Sequence, residues 1–239
     1  MASEILLEVC IDSVASAVAA ERGGARRVEV CSNLAEGGVT PSARLIAMVR
    51  KGITIAMHVL IRPRSGDFCY SADEFEVMKR DIVLAKQLGA NGVALGVLDE
   101  QGRVDVPRTR ELAELARPLS VTFNRAFDTT ADLAAALEDV VRAGADRVLT
   151  SGGKATADEG VDVIARLVKQ SAGRLGILAC GTVRAENVAG IVERTGVHEV
   201  HARLDSAVAD GEDRGAVVRV GAVAGFLHAA VNPRALPQR

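Results

Sequence analysis

The 239-residue chain contains no Trp and one Tyr, so it lacks the aromatic platforms on which nucleic-acid bases stack. It has no excess of either charge: 29 Lys and Arg against 31 Asp and Glu leave a net charge of −2. No global field therefore favours a phosphate backbone or an anionic membrane, and nucleic acid is set aside as a partner. The apolar runs are too short and too interrupted to span a bilayer. Met1-Ala2-Ser3-Glu4 is not a basic segment leading into an apolar one, so no signal peptide is visible. The four cysteines, Cys10, Cys31, Cys69 and Cys180, include no Cys-x-x-Cys pair, which fits neither a zinc ribbon nor a secreted disulfide framework. These absences predict a cytoplasmic protein with reduced thiols and no membrane partner.

What the chain does have is an alternation of short β-branched runs with longer amphipathic stretches. Strands are expected at Ile5–Val9, Arg27–Val30, Thr54–Leu60, Gly92–Gly96, Ser120–Phe123, Arg147–Thr150, Leu175–Ala179 and His198–Ala202. Helical spacing follows them, as at Val14–Arg22, Ala72–Leu88, Leu133–Arg142 and Val161–Gln170. Parallel neighbours need a crossover, usually a helix, so this pattern predicts a parallel sheet. The strand count and the length favour closure into a (β/α)8 barrel of the TIM type over an open sheet. Thr40-Pro41 is expected to cap and open one helix, Ser71-x-x-Glu74 has capping-box spacing, and Gly23, Gly89, Gly144 and Gly196 are expected to close helices in left-handed turns. Related segments begin at Gly24, Gly89, Gly144 and Gly196, about 50–65 residues apart, which suits a β-α-β-α quarter of a barrel. No linker divides residues 1–239, so one domain is expected, with a frayed tail over residues 231–239.

In such a barrel the site lies at the C-terminal ends of the strands. The first two strands end in the same tripeptide, Glu8-Val9-Cys10 and Glu29-Val30-Cys31, and alternation puts each Glu and Cys on one face. Adjacent strands are about 4.8 Å apart, so the two thiols are expected side by side. Such a pair suits soft Cu(I), although a strand cysteine is also a small apolar filler. Glu8 and Glu29 are the candidate acid–base groups, since buried carboxylates are seldom unpaired. Arg62 and Arg64 sit on a glycine-containing loop after the third strand. They either clamp an anion or are spent internally, on the two glutamates or, for Arg64, on Asp67. His58 reads as a core histidine. Thr122, Asn124, Arg125 and Asp128 lie at the end of the fifth strand, with Thr129 or Thr130 a possible cap for the next helix, and Ser151, Gly152 and Gly153 at the end of the sixth. These are candidate anion-binding positions, as is His201 after the eighth. Lys154 beyond the glycines reads as solvated rather than as a Schiff-base lysine.

These stretches resemble the CutC copper homeostasis family along nearly the whole chain. The resemblance is carried by Glu36-Gly37-Gly38-Val39-Thr40-Pro41-Ser42, Ile61 through Ser71, Val121-Thr122-Phe123-Asn124-Arg125-Ala126-Phe127-Asp128 and Leu149-Thr150-Ser151-Gly152. It implies a (β/α)8 barrel, often a homo-oligomer, with a role in copper tolerance and with Cys10 and Cys31 as the Cu(I) ligands. The sequence departs from the pattern at Asn124, where the family typically carries His, at Cys180, where a small residue is usual, and at Ala202-Arg203. Beside the copper reading stands a lyase, isomerase or hydrolase acting on a small anionic metabolite, with Glu8 or Glu29 as base and Arg62 or Arg125 as clamp. A regulatory barrel without catalysis is the third class.

Overall fold

The computed structural model describes residues 5–206 and 217–231. Eight strands form one closed parallel barrel in chain order. They are β1 (Leu6–Ile11), β2 (Arg27–Val30), β3 (Ala56–Leu60), β4 (Gly92–Leu95), β5 (Ser120–Phe123), β6 (Arg147–Thr150), β7 (Gly176–Ala179) and β8 (Glu199–Ala202). Outside them run α1 (Val14–Arg22), α2 (Ala43–Gly52), α3 (Ala72–Gln87), α4 (Val106–Ala116), α5 (Leu133–Ala143), α6 (Val161–Ser171), α7 (Val188–Thr195) and α8 (Val220–Val231). A two-stranded antiparallel addition, β9 (Asp205–Ser206) with β10 (Val217–Val218), precedes α8. Among the described residues no helix is long and apolar enough to cross a membrane. Of the tail expected to fray, residues 232–239 lie outside the described residues.

The four glycine-led repeats each open an even-numbered strand, β2, β4, β6 and β8. Local chemistry sets the helix ends. Ser71 and Glu74 form a complete capping box at α3, which satisfies two donors that the first turn would otherwise leave unpaired. Three local expectations are corrected. The cap of α2 is Ser42, whose hydroxyl accepts from the Leu45 N–H, rather than Thr40-Pro41. Asp132, not Thr129 or Thr130, caps α5; the two threonine hydroxyls donate instead to the carbonyls of Ala126 and Phe127, inside a short 3-10 turn. Gly23 is right-handed at φ −79°, and the left-handed residue there is Gly24 at φ +99°.

The strands are buried on both faces, as parallel strands between helices are, but the two faces differ in kind. Leu7, Val9, Ile11, Val28, Met57, Val59, Val93, Leu95, Val121 and Phe123 are buried in the large apolar core. The alternate positions carry Glu8, Arg27, Glu29, His58, Thr122 and Arg147. Register explains how these meet. Glu8 is level with Arg27 on one side and His201 on the other, while Cys10 is level with Glu29, which is level with His58. The identical tripeptides of β1 and β2 are thus offset by a two-residue step, the stagger that barrel closure demands. Gly92 on β4 leaves room for His58: a Cβ there would lie 2.4 Å from the imidazole Nε2.

Candidate functional site

Glu8 sits within the barrel, 2% exposed, and forms an ion pair with Arg27, itself 3% exposed. Arg27 also reaches Glu199 at 2.6 Å, Glu199 lies 3.2 Å from Arg147, and Arg147 donates to the Ser120 hydroxyl at 2.6 Å. The barrel interior is therefore filled by alternating charges, each meeting an opposite one, as low-dielectric burial requires. The arginine that meets Glu8 is Arg27, a residue the sequence offered only as the start of a strand, and not Arg62 or Arg125. His201 Nδ1 is 2.7 Å from the other oxygen of Glu8, and His201 Nε2 is 3.9 Å from Glu29. His58 is buried, but its Nδ1 has no hydrogen-bond partner and lies 3.7 Å from Glu8.

Above this layer is a cavity of about 110 Å³ lined by Cys10, Glu29, Cys31, Leu34, Gly37, Leu60, Arg62, Phe68, Asn124, Arg125, Leu149 and His201. The two sulfurs are 3.7 Å apart, and Cys31 Sγ donates toward Glu29 Oε2 at 3.4 Å. One ligand atom from each of Cys10, Glu29 and Cys31 falls within 4.8 Å of the others. All four cysteines are free thiols.

The titratable groups are pushed apart. Burial opposes ionisation of Glu8, but Arg27 and His201 outweigh it and hold its carboxyl well below the usual range. Glu29 has no such guanidinium. Burial, reinforced by Cys10 and Glu8, raises it to about 8 against the pull of His201. Contact with Cys31 lowers the Cys10 thiol despite burial, and the same contact together with burial raises that of Cys31. Burial works against a charged His201, yet its bonds to Cys10 and Glu8 hold its pKa well above the ordinary imidazole value. Burial lowers that of His58 to about 4. The shifts thus favour the ionised form of Glu8, the protonated form of Glu29, the charged form of His201 and a thiol pair with one acidic member. Pairs of carboxyls separated in this way occur where proton transfer or ligand binding is organised.

The remaining candidates fall into two groups. Asn124 lines the cavity, its Oδ1 accepting from the Ala126 N–H at 2.9 Å. Arg62 and Arg125 line it too. Arg62 Nη1 and Nη2 donate to the carbonyls of Glu36, Gly38 and Gly66. Its guanidinium lies 4.7 Å from the centre of the Phe68 ring. Arg125 pairs with Asp128 at 3.0 Å and donates to the Ser151 hydroxyl at 2.8 Å. The structure does not bring the others to the cavity wall. Arg64 is spent on Asp67 and Glu74, pinning its own loop. Thr122 is buried with its hydroxyl unpaired. Asp128 accepts from the N–H groups of Ser151 and Gly153 and from the hydroxyls of Thr150 and Ser151, so the glycine turn after β6 already holds an anion of the protein's own. Lys154 and Arg203 are exposed. Cys180 packs with Leu149 and Leu178, and burial raises its thiol pKa well above the ordinary value.

Comparison with known proteins agrees with the barrel fold. The profile of the CutC family matches residues 5–206. A CutC family protein of Chromobacterium violaceum is 50% identical over 204 residues, spanning 85% of this chain and 83% of that protein. The human copper homeostasis protein cutC homolog is 48% identical over 200 residues, spanning 84% and 73%. A solved structure from Streptococcus agalactiae, named a copper homeostasis protein CutC, superposes with a TM-score of 0.79 at 31% identity, over 82% of this chain and 97% of that one.

Proposed function

Because this chain belongs to the CutC family, we propose that it is a copper homeostasis protein that holds Cu(I) through Cys10 and Cys31 at the barrel mouth. The observation that carries this reading is the thiol pair itself: two sulfurs 3.7 Å apart on the wall of a cavity, with a third donor within reach. Thiolates are the soft ligands that select Cu(I), whereas a carboxylate is a hard donor. Cys10 and Cys31 would therefore do the holding, and Glu29 would be the weaker third ligand. A linear bridge with metal–sulfur bonds of about 2.3 Å needs sulfurs further apart than these, so the pair as it stands suits a bent arrangement.

The surrounding residues fit that task. Contact with Cys31 favours the thiolate of Cys10, which is the form a metal binds. His201 faces Cys10, Glu8 and Glu29 and supplies positive charge beside the developing thiolates. Glu8, fixed by Arg27, orients His201 from behind, as an outer-shell carboxylate does. A reducing compartment such as the cytoplasm suits both free thiols and Cu(I).

Anaerobic titration with Cu(I) against a chromophoric competitor tests the reading. One equivalent is expected to bind the parent, and none to bind Cys10→Ser/Cys31→Ser with comparable strength. Undiminished uptake by the double variant removes these residues from the claim.

A further inference from the structure

We propose that the same cavity has a second, metal-independent function as a binding site for a short-chain organic carboxylate, held on its Arg62–Asn124–Arg125 side. The argument begins with charge. Arg62 is 6% exposed, its Nη1 and Nη2 donate to main-chain carbonyls, and its side-chain polar neighbour is the uncharged hydroxyl of Tyr70. Among the described residues no carboxylate lies within 4.0 Å of its nitrogens. A buried cation is ordinarily paired, as Arg27 is in this barrel. Arg62 forms part of a cavity wall instead, so an anion entering the cavity supplies the missing counter-charge.

Two further donors point the same way. Asn124 is 4% exposed and lines the cavity. Its Oδ1 is committed to the Ala126 N–H, and a Cβ at Gly96 would lie 2.3 Å from that oxygen, so the amide is locked in place. Its Nδ2 donates to nothing among the described residues, and an amide held with its donor end unpaired is built for an acceptor that comes from outside. Arg125 spends Nε on Asp128 and Nη2 on Ser151 and Lys154, leaving Nη1 without an acceptor among the described residues.

The class of anion follows from what else is present. A phosphate is usually cradled by main-chain N–H groups, but those of Ser151 and Gly153 are occupied by Asp128. One amide, one guanidinium edge and one unbalanced charge match a planar monoanion. Leu34, Leu60, Phe68 and Leu149 supply the rest of the wall and suit a hydrocarbon body. The volume of about 110 Å³ lies well under the roughly 300 Å³ at which pockets for larger ligands begin, so the body is short.

Calorimetric titration of the full, metal-free chain with acetate, butyrate and hexanoate, and with inorganic phosphate, tests this proposal. Saturable one-to-one binding is expected for a carboxylate and not for phosphate. Arg125→Gln alters a half-exposed side chain and is expected to fold; it should weaken binding about tenfold, the worth of one charge-assisted hydrogen bond. Asn124→Leu should weaken it comparably. Cys10→Ser/Cys31→Ser should retain the carboxylate affinity while losing Cu(I), so failure of one reading is distinguishable from failure of the other. The proposal is overturned by the absence of saturable carboxylate binding, by phosphate binding more tightly than every carboxylate, by binding that the folded Arg125→Gln chain retains in full, or by carboxylate affinity that disappears with the thiols.

Discussion

Replacing Glu8 by Gln keeps the shape of the side chain and removes its charge. In the parent that charge is 2% exposed, against Arg27 at 3%, and it also accepts from His201 at 2.7 Å. Breaking a buried ion pair costs about 3–5 kcal/mol. Arg27 keeps Glu199 at 2.6 Å, so the lower end, about 3 kcal/mol, is expected. At roughly 2–4 °C per kcal/mol for a chain of this size, the melting temperature should fall by about 6–12 °C. The pH dependence has a definite sign. The folded Glu8 carboxyl lies below its ordinary value of 4.5, so its contribution is present above pH 4.5 and is lost as the pH falls through the folded value. His201 lies above its ordinary 6.5, so its contribution is present below that pH and is lost as the pH rises through its folded value. The gap between parent and variant is therefore widest between pH 4.5 and 6.5. Urea denaturation followed by circular dichroism measures it, since the chain has no Trp to report by fluorescence. A loss under about 1 kcal/mol at pH 6, or a gap that fails to narrow in acid, would refute the ion-pair account. Glu8→Leu/Arg27→Met, which leaves Glu199 with Arg147, should recover much of the loss.

Other outcomes follow from the same geometry. Gly92→Ala, whose Cβ would lie 2.4 Å from the His58 ring, should cost about 1–3 kcal/mol in denaturant titrations, with the penalty largely relieved in Gly92→Ala/His58→Ala. Asp128→Ala removes the acceptor of two N–H groups and two hydroxyls and should lower stability by about 2 kcal/mol or more. Glu29 is raised to about 8 from an ordinary 4.5, so the folded state holds an extra proton between those values and stability falls as pH rises through them. Glu29→Gln should therefore be more stable than the parent at pH 9, with no such advantage at pH 4. Iodoacetamide at neutral pH should label Cys10 ahead of Cys31 and Cys180, as mass mapping would show, because the Cys10 thiol is lowered and the other two are raised.

The architecture was legible because its signals are local and repeated. Strand–helix alternation, the capping box at Ser71 and the four glycine-led repeats each constrain a short stretch, and together they define a closed barrel. Alternation also placed both cysteines on the inner face, and their adjacency followed. What was hidden is what depends on register. Reading Glu8-Val9-Cys10 and Glu29-Val30-Cys31 as equivalent puts the two glutamates level, whereas the stagger sets Glu8 beside Arg27 and Cys10 beside Glu29. Shear is a property of the closed sheet and leaves no mark in one strand. Arg27 accordingly carries no mark of its role in the sequence, although its guanidinium is a main cause of the lowered Glu8 carboxyl. The pairing of Arg64 with Asp67 was legible from their closeness in sequence, but its second partner, Glu74, and the hold of the Ser151 turn on Asp128 were hidden, because loops whose paths the sequence does not specify separate them. Two adjacent glycines after β6 looked like an anion cradle, but the N–H groups there that hold an anion are those of Ser151 and Gly153, and the anion is the carboxylate of Asp128, while the Gly152 N–H donates to the Thr150 hydroxyl.

The central claim, that Cys10 and Cys31 together hold Cu(I), is tested most directly by copper X-ray absorption on the anaerobic one-to-one complex. Two sulfur neighbours and one lighter neighbour are expected in the parent, with sulfur scattering reduced in Cys10→Ser and in Cys31→Ser alike and the lighter neighbour altered in Glu29→Gln. A first shell of nitrogen and oxygen alone, or a sulfur signal that both single variants leave unchanged, would contradict it.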